Sequence, residues 1–592
     1  MTLIQGTILV LSPDYNLHET LMRDGGSKYI FDPQRFNAVV DDLRPRYSAY
    51  IDALSEHYGR NVDWWVSSVS SRNVYQSFSF LNLAYLMYVD ELVAEGVQID
   101  LILCTSNGLR KAIRKLLMKR GVAIKTVLSK SRRLKNRLRN SFLQHPVRTL
   151  RFLRDSFKRF IAAKVTAIGE KHDPSERYLN LLDIFVSEKS FHEGRFVDRY
   201  YTGFLEMDHS NQWTYLPTFY DVRHFLAIFR SLRRSTNDFL IKEDYLKLSD
   251  YMWALLHVIR LVRLKKYYHS FEQYDVYAIF HEDLIHNLTT TSFESLLNYR
   301  LMERLKRAGI KVSLLVNWFE NQNLDKALNL GFHEHYKKKS IGYQGFIVSP
   351  NQLNTWPTPF EKQMGVIPDV IAVTGDSSSD FLKSMVPDLR IIKSPAFRFK
   401  HIWSNGGPVN SSEKVVLVAL PMISSDALEI LTRIKRIVNK LPRDIEINIK
   451  IHPVTEMASI LSFLSANKLD SFAVRSEPFS QCLRASSLVV STASTVILES
   501  LAMGAPVIVM GSQSQITYNP IPTDVDKRVW SLCYTDSELI SSILFFANAD
   551  ADKRIEFKRI GQDIRSKFFE PVNDKGVYNF VRDLQNCAES ID

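Results

Sequence analysis

Cysteine is scarce in this sequence, with only Cys104, Cys482, Cys533 and Cys587 among 592 residues. No two of them lie at the short spacing of a zinc site, and a disulfide scaffold needs many more. The scarcity therefore indicates a reducing compartment. Long apolar runs are also lacking, because no window approaches the roughly 20 apolar residues of a membrane span. The apolar start at 7–12 lacks the basic segment and cleavage site of a signal peptide, so we expect a cytoplasmic protein.

Acidic residues are almost absent from residues 130–159, which hold eleven Lys and Arg residues and a single acid, Asp155. Apolar residues recur there at helical spacing, with Pro146 as a break, which indicates two basic amphipathic helices lying on an anionic bilayer surface. A solvated helical face that packs by its apolar stripe gives the same pattern and stays open as an alternative. No nucleic-acid-binding motif accompanies the charge, so we expect no nucleic-acid partner.

The rest of the chain has the composition of a globular protein of two or three domains, with a net charge of +12. Strands predicted at 8–11, 62–69 and 99–104 alternate with helices at 82–94 and 108–120, as in a Rossmann-like sheet without a Gly-x-Gly-x-x-Gly. The predicted organisation is a Rossmann-like domain over 1–396 with a basic helical insertion at about 128–165, a linker at 397–413, a second Rossmann-like domain over 414–570, and a C-terminal helix over 571–592.

Two predicted strands of the C-terminal domain end in polar residues. The strand at 445–451 precedes His452-Pro453, and the strand at 488–490 precedes the hydroxyl-rich residues 491–495, after which a helix begins. A helix start carries unpaired N–H groups and about half a positive charge. Ligands bind at the carboxyl ends of strands in open α/β sheets, so the two ends predict a phosphate site. A plain helix cap and a loop histidine with satisfied hydrogen bonds are the alternatives.

Carboxylates follow two further predicted strands, in the N-terminal half. Glu320 follows a strand at 311–316, beside two amides and two aromatic residues, before a helix that opens at Asp325 and closes at Gly331. A carboxylate with apolar neighbours suits a general base, although an acid at a helix start explains Glu320 as well. The second strand, at 276–280, ends in His281-Glu282-Asp283.

Several motifs resemble those of known families. Trp318-Phe319-Glu320-Asn321-Gln322, Lys326-Ala327-Leu328 and Ile341-Gly342-Tyr343-Gln344 are similar to the glutamate and iGYQ elements of bacterial capsule and O-antigen biosynthesis proteins. Lys450-Ile451-His452-Pro453, Ser491-Thr492-Ala493-Ser494-Thr495 and Glu499 are similar to the His-Pro and Ser/Thr motifs of bacterial sialyltransferases, polysialyltransferases and Kdo transferases. With two Rossmann-like halves and a linker, the chain resembles the GT-B glycosyltransferases of bacterial surface-carbohydrate biosynthesis.

The resemblance implies an α/β protein of the GT-B fold, with two Rossmann-like domains facing a central cleft. It implies a CMP-activated ulosonic acid, such as Kdo or sialic acid, as the donor, with Glu499 at the ribose and Glu320 as the base of an inverting displacement. No metal or other cofactor is implied. The donor phosphate would be held by Lys450, His452, Pro453, Ser491, Thr492, Ser494 and Thr495. The acidic base motif of the polysialyltransferases is absent, and Glu282 and Asp283 are the second choice for the base.

The partners expected from this resemblance are a nucleotide sugar and a glycan or lipid-linked glycan acceptor. Docking through 130–159 would place the protein at the inner face of a bacterial cytoplasmic membrane. Three other functions stay open. A cytidine-linked glycerophosphotransferase-type polymerase and a UDP-sugar 2-epimerase share the fold, and a non-catalytic membrane-docked scaffold for polysaccharide assembly belongs to a different class. Binding of CMP, CDP or UDP distinguishes among them.

Overall fold

The computed structural model describes residues 6–23, 28–129, 144–167, 178–192, 194–209, 211–286, 290–347, 349–404, 413–455, 457–467, 469 and 472–589. Its strands, in chain order, are β1 (Thr7–Leu11), β2 (Lys28–Tyr29), β3 (Leu101–Cys104), β4 (Lys125–Leu128), β5 (Tyr178–Val186), β6 (Phe191–His192), β7 (Arg195–Phe196), β8 (Trp213–Phe219), β9 (Asp238–Phe239), β10 (Ser270–Phe271), β11 (Tyr274–Asp275), β12 (Lys311–Trp318), β13 (Ser340–Gln344), β14 (Val370–Val373), β15 (Arg390–Lys393), β16 (Val415–Ala419), β17 (Glu446–Lys450), β18 (Ala473–Val474), β19 (Leu488–Ser491), β20 (Val507–Met510) and β21 (Trp530–Cys533).

The α-helices span Tyr15–Arg23, Pro33–Glu56, Val62–Trp65, Ser68–Ser71, Ser79–Ala94, Asn107–Arg120, Gln144–Thr166, Phe204–Met207, Phe225–Arg233, Leu248–Leu255, His257–Arg263, Tyr277–His286, Thr290–Arg307, Asn323–Tyr336, Pro359–Met364, Asp376–Met385, His401–Ser404, Ser424–Ile437, Met457–Ala466, Phe479–Arg484, Val496–Ala502, Asp536–Ala547, Ala551–Phe568 and Asp574–Glu589. Short 3-10 helices span Glu188–Ser190, Lys242–Asp244, Leu353–Thr355, Phe397–Phe399, Val438–Lys440 and Lys527–Val529.

Within the described part of the chain, three parallel sheets carry the fold. The first sheet has the order β2-β1-β3-β4, the second β15-β14-β13-β12-β5-β8-β9, and the third β18-β17-β16-β19-β20-β21. Their neighbouring strands pair in parallel throughout. The second and third sheets are the two Rossmann-like halves of a GT-B fold, so that prediction is confirmed. The range 1–396, treated above as one domain, contains a further sheet, because β4 and β5 do not pair.

The cores follow from the alternation of side chains along the strands. In β5, Leu181 joins the core on one face of the second sheet, whereas Leu182 and Ile184 join the core on the other face. Parallel strands covered by helices on both sides are apolar on both faces, which explains these continuous hydrophobic runs. The third sheet is built in the same way around its own core, which includes Val416 and Val489.

The C-terminal helix Asp574–Glu589 packs on the second sheet, although the chain has just left the third. Val577, Phe580 and Leu584 are buried and share a core with Tyr343 of β13. The crossing is fixed by backbone hydrogen bonds from Glu570 to Thr374, 2.6 Å, and from Ala396 to Glu570, 2.9 Å. The helix therefore ties the two halves together; residues 405–412 of the predicted linker lie outside the described residues.

The first sheet and its helices contact both halves of the GT-B fold. Toward the second sheet, Arg72 forms a buried ion pair with Glu361 at 2.7 Å. Toward the third sheet, the Tyr85 hydroxyl donates to the Ser514 carbonyl at 2.6 Å, and the Thr517 N–H donates to Asn37 at 2.7 Å. These contacts bridge the two halves and restrict how far they can move apart.

Two predicted strands are helices instead. Residues 62–69 form Val62–Trp65 and Ser68–Ser71, because the Asn61 and Ser67 side chains accept from backbone N–H groups and cap two short helices. Residues 276–280 lie mostly in the helix Tyr277–His286, since a short apolar run fits a buried helix as well as a buried strand.

Two predicted helices have different ends. The sequence at 245–265 also predicts one long helix, which the structure divides into Leu248–Leu255 and His257–Arg263. Gly331 was expected to end its helix but lies inside Asn323–Tyr336, where a Cβ atom would come 2.9 Å from the Tyr299 carbonyl oxygen. Its lack of a side chain serves close packing against the helix Thr290–Arg307 rather than helix termination.

Candidate functional site at the facing sheet edges

Each half of the GT-B fold has one point at which the strand order reverses. In the second sheet it lies between β5 and β12, and in the third between β16 and β19. Crevices form at the carboxyl ends of the strands flanking such a point, and ligands of open α/β sheets bind there. Glu320 follows β12 and Lys189 follows β5, while Thr492 follows β19. Glu320 and Thr492, which were predicted from the sequence, therefore lie at the crevices of the two sheets, and Lys189 joins them.

His452 and the hydroxyl cluster lie on either side of one strand end. His452 follows β17 and Thr492 follows β19, and both strands pair with β16. Two strand spacings separate their ends, about 10 Å, which leaves room for a phosphate group above the end of β16. The Ser491 hydroxyl donates to the Ala419 carbonyl at 2.8 Å and Thr455 donates to the Pro421 carbonyl at 3.3 Å, so both loops are fastened to the end of β16 and the residues directly after it.

The helix Ser424–Ile437 begins at this same point, directly after β16. No described side chain caps its first turn, and Ser424 and Ser425 are exposed. Its free N–H groups add partial positive charge to the space between His452 and Thr492. This helix start was not predicted from the sequence; the Pro421-to-Ser425 transition after a buried strand was the signal that could have identified it.

Two cations join His452 from outside the third sheet. Lys189 donates to the Pro453 carbonyl at 2.9 Å, so the loop after β5 contacts the loop after β17. Burial lowers the pKa of His452 below its ordinary value, and the positive charges of Arg398 and Lys189 lower it further. Arg398 and Lys189 are both exposed, and Arg398 pairs with no carboxylate among the described residues. Neither was predicted from the sequence, since Lys189 lies in a short 3-10 helix after β5 and Arg398 lies in the segment interpreted as a linker.

The imidazole of His452 is oriented by its own loop. The Val454 N–H donates to Nδ1 of His452 at 3.2 Å. An acceptor role for Nδ1 places the ring proton on Nε2 of the neutral imidazole. His452 thus offers one N–H donor, while the positive charge of the cluster comes from Lys189 and Arg398.

Glu320 is half-buried and held by its neighbours on the second sheet. Trp318 Nε1 donates to one carboxylate oxygen at 2.9 Å, and the Gln322 side-chain amide donates to the other. The Glu320 N–H donates to Asp325 at 3.0 Å and its carbonyl accepts from Asn354 at 2.8 Å, so the loop is fixed on both sides. These contacts orient the carboxylate at the crevice between β5 and β12.

Tyr200 connects Glu320 to the cationic cluster. Its ring packs edge-on against Trp318 with centroids 4.6 Å apart. Burial raises the pKa of its hydroxyl, Glu320 raises it further, and Arg398 lowers it. The charges of both Glu320 and Arg398 therefore act on one tyrosine.

Two more carboxyl groups lie behind Glu320. Burial raises the pKa of Asp183 to about 7, and burial followed by the charge of Asp183 raises the pKa of Asp325 well above its ordinary range. Asp325 accepts from the N–H groups of Glu320 and Gln322 at 3.0 and 2.9 Å. Asp183 was not identified from the sequence, because a single acid inside an apolar strand has no distinguishing pattern.

The hydroxyl loop makes a strained turn into its helix. Ala493 has a φ of 46°, in the left-handed region that costs a non-glycine residue about 1 kcal/mol. Its N–H donates to the Tyr518 carbonyl at 3.1 Å, and the helix Val496–Ala502 starts three residues later and ends before Gly504 at φ 80°. Outliers of this kind concentrate at functional sites. Ser494 and Thr495 are partly exposed at the helix start.

A small cavity of about 10 Å³, room for about one water molecule, lies beside Thr492 along the end of β20. Asp426 and Glu429 line it from the helix Ser424–Ile437, and Tyr518 lines it from the loop after β20. Burial raises the pKa of Asp426 to about 6 and that of Glu429 to about 7. The cavity therefore carries two carboxyl groups that gain protons near neutral pH.

Three residues that were predicted to bind the nucleotide-sugar donor contact other residues of the protein instead. The Lys450 ammonium donates to the carbonyls of Arg475, Ser476 and Glu477, at 3.3 and 3.1 Å for the first two. Glu499 is buried and lies 2.6 Å from His401 Nε2. Pro453 is exposed and contributes its carbonyl to Lys189. These contacts favour supporting roles in the loops around His452 rather than direct contact with a phosphate.

The second-choice bases belong to a different part of the molecule. Glu282 accepts from the Ser106 hydroxyl at 2.8 Å and from the Gly108 N–H, at the start of the helix Asn107–Arg120. That start follows β3 at the crevice of the first sheet, so an internal carboxylate occupies the position of an anionic ligand. Asp283 is buried and accepts from the Ser77 and Ser79 hydroxyls. Both contacts favour structural roles.

The described residues contain no group of three or more His, Cys, Asp or Glu side chains arranged to hold a metal ion.

Comparison with protein families and with curated proteins finds no match to the chain. Among solved structures it is similar to the trehalose-6-phosphate phosphatase N-terminal domain of Candida albicans, with 9% identity over 69% of this chain and 99% of that one and a TM-score of 0.41.

Two other similar structures differ in the activity they are named for. The calicheamicin glycosyltransferase CalG4 has 12% identity over 70% of this chain and 99% of its own, with a TM-score of 0.38. A UDP-N-acetylglucosamine 2-epimerase has 15% identity over 69% and 95%, with a TM-score of 0.40. At these values none of the three carries an argument about function, which must come from the site itself.

Proposed function

We propose that the chain is a glycosyltransferase that binds a nucleotide sugar between its second and third sheets. The observation that carries the proposal is the meeting of Lys189, Arg398 and His452 at the facing carboxyl edges of the two sheets. Two exposed cations, an N–H donor and a helix start without a side-chain cap among the described residues suit a leaving group whose negative charge increases during the reaction.

In this proposal the donor phosphate lies above the end of β16, between His452 and the hydroxyls of Thr492, Ser494 and Thr495. Nε2 of His452 donates to a phosphate oxygen, while Lys189 and Arg398 balance its charge. The nucleoside lies beyond Thr492, between the second and third sheets. Glu499, to which the family resemblance gives the ribose, is engaged by His401.

Glu320 acts as the general base. It takes the proton of the acceptor hydroxyl as the oxygen attacks the anomeric carbon, and the bond from that carbon to the phosphate oxygen breaks with its electron pair leaving on the nucleotide. One displacement inverts the configuration at the anomeric carbon. The fixed position of Glu320 between Trp318 and Gln322 supports this role, because a base must be held within hydrogen-bond reach of its proton.

The finer proposal is a CMP-activated ulosonic acid as donor and a bacterial surface glycan or glycolipid as acceptor. It is supported by the resemblance of the motifs at Glu320, His452 and 491–495. A peripheral position at the inner face of the cytoplasmic membrane is supported by the helix Gln144–Thr166, which exposes Val147, Leu150 and Phe157 by 54%, 63% and 64%. Residues 130–143 of the proposed membrane segment lie outside the described residues.

The test is to incubate the purified chain with CMP-sugars and UDP-sugars and a mixed bacterial glycolipid acceptor, with products detected by mass. Transfer from a CMP-ulosonic acid is the expected result. Transfer from another CMP- or CDP-linked group keeps the site and replaces the donor. Interconversion of a UDP-sugar without transfer indicates the epimerase instead, and the absence of nucleotide binding and turnover indicates a scaffold.

A further inference from the structure

A row of apolar side chains covers the outer face of two consecutive helices, Leu248–Leu255 and His257–Arg263. Its members recur every three or four residues, and each is about half exposed or more. They are Leu248 at 71%, Met252 at 54%, Leu256 at 47%, Ile259 at 47% and Val262 at 51% exposure. We call these five residues the apolar row. Single exposed apolar residues are ordinary, but five in one line mark an interaction surface.

The helices are held firmly from the opposite side. Tyr251, Ala254 and Leu261 are buried, and Arg260 stacks over Trp253 at 4.5 Å. Arg260 also donates to Asp63 at 2.7 Å. Since the inner face is fully packed, the apolar row cannot turn inward, and its exposure is a property of the fold.

The exposed charges on the segment that carries the apolar row have one sign. From Lys247 to His269 the sequence has one acid, Asp250, which is buried and accepts from Arg300 and Arg304 at 2.9 and 2.8 Å. Lys247 lies at one end of the row, and Arg263 and Lys265 lie exposed at the other. An apolar centre with cations at both ends matches the acyl region and the negative headgroups of a lipid surface.

A second helix with the same character packs on the same core. Phe152 of Gln144–Thr166 contacts Phe293 with ring centroids 4.9 Å apart, in the core that also contains Tyr251 and Ala254. Its exposed arc mixes Leu150 and Phe157 with arginine and lysine residues. No helix of the described chain is long and apolar enough to cross a bilayer.

We propose that the apolar row inserts into the interfacial region of an anionic lipid bilayer. It forms the apolar contact of the membrane surface, while the basic helix Gln144–Thr166 supplies mainly electrostatic attraction. The inference does not rest on the proposed transferase activity, because it follows from exposure and charge alone. It assigns membrane contact to helices outside the segment 130–159, to which the sequence analysis had confined it.

The first experiment is flotation of the full chain with vesicles of phosphatidylglycerol and phosphatidylethanolamine, and with vesicles of phosphatidylcholine alone. Wild type is expected to float with the anionic vesicles only. The variant Leu248→Ser, Met252→Ser, Ile259→Ser should lose binding by at least about tenfold, since three inserting side chains are removed. A matched control replaces Met118, Phe545 and Ile555 with serine, because these are exposed by 79%, 52% and 64% elsewhere; it should bind like wild type.

A second experiment keeps the proposal testable if the triple variant unfolds. The four native cysteines are buried, so an Ile259→Cys variant can be spin-labelled selectively. On anionic vesicles the label should be more accessible to oxygen than to a water-soluble nickel complex. A label that stays in water, equal flotation of the row variant and wild type, or a dimer in solution that the row variant abolishes without change in flotation would each overturn the proposal.

Discussion

The Lys189 ammonium donates to the Pro453 carbonyl at 2.9 Å, and this hydrogen bond joins the carboxyl edge of the second sheet to that of the third. It places a cation from one half of the GT-B fold beside His452 of the other. The candidate site is therefore a product of both halves, and neither sheet supplies it alone. The predictions below separate residues that act on a ligand from those that hold the site together.

His452→Ala is expected to reduce transfer by at least about 100-fold, because it removes a donor to the leaving phosphate. The fold should be retained, since His452 is only partly buried at a strand end. Steady-state kinetics and thermal unfolding check both statements. Lys450→Met is the matched control: it removes a clamp on three carbonyls and should lower the free energy of unfolding by about 1 to 3 kcal/mol. Normal turnover in His452→Ala contradicts the phosphate role.

Glu320→Gln should lower activity without lowering stability, whereas Glu282→Gln should lower stability without lowering activity. The first removes the base and should lower kcat by about 100-fold or more, with nucleotide affinity unchanged. The second removes the negative charge at the start of the helix Asn107–Arg120 and should lower the free energy of unfolding by about 1 kcal/mol, with kcat unchanged. Single-turnover kinetics and urea unfolding distinguish them. If Glu282→Gln abolishes turnover in a stable protein, the base has been assigned to the wrong residue.

Stability should depend on pH through the cavity carboxyls. The folded pKa of Glu429, raised to about 7, exceeds its unfolded value, so the folded state binds more protons between about pH 4.5 and 7. The contribution of Glu429 to the free energy of unfolding is fully present below its unfolded pKa and is lost as pH rises through its folded pKa. Glu429→Gln removes this loss. The free energy of unfolding of the variant minus that of wild type should therefore be about 1 to 3 kcal/mol more positive at pH 8 than at pH 5. Urea titrations at both pH values provide the measurement, and an equal difference at both excludes the raised pKa.

Arg159 was counted above among the basic residues of the membrane segment, but the structure buries it. It pairs with Glu294 and lies 3.6 Å from Glu243, while Lys242 pairs with Glu294 at 2.8 Å. Arg159→Met leaves buried carboxylates short of a partner and should cost about 3 kcal/mol of stability. Lys158→Ala, one residue earlier and exposed, should change stability by less than about 0.5 kcal/mol. Equal effects of the two changes, measured by chemical denaturation, would mean that Arg159 does not anchor the helix.

Much of the fold was accessible from the sequence because its strands are short apolar runs with clear ends. The predicted strands at 8–11, 99–104 and 311–316 agree with the structure within a few residues. The pairing of strands could not be predicted in this way, because an apolar run does not indicate which strand lies beside it. The separate first sheet was therefore not foreseen.

Part of the candidate site was also predicted from the positions at which strands end. His452, Glu320 and the hydroxyl loop were found because each directly follows a strand. Arg398 and Lys189 were not, since they come from a linker and a loop whose approach to His452 depends on how the two halves pack. Lys450 and Glu499 fit the motif, but long-range hydrogen bonds to residues 475–477 and to His401 engage them elsewhere.

The most direct test of the account is a calorimetric titration of CMP into wild type, Arg398→Ala and the control Arg559→Ala, an exposed arginine on the helix Ala551–Phe568. Arg398→Ala should raise the Kd by about 10- to 100-fold, the effect of one charge-assisted hydrogen bond, while Arg559→Ala should match wild type. Equal affinity of Arg398→Ala and wild type, or no binding of CMP, CDP or UDP to any of the three, would contradict a nucleotide site between the sheets.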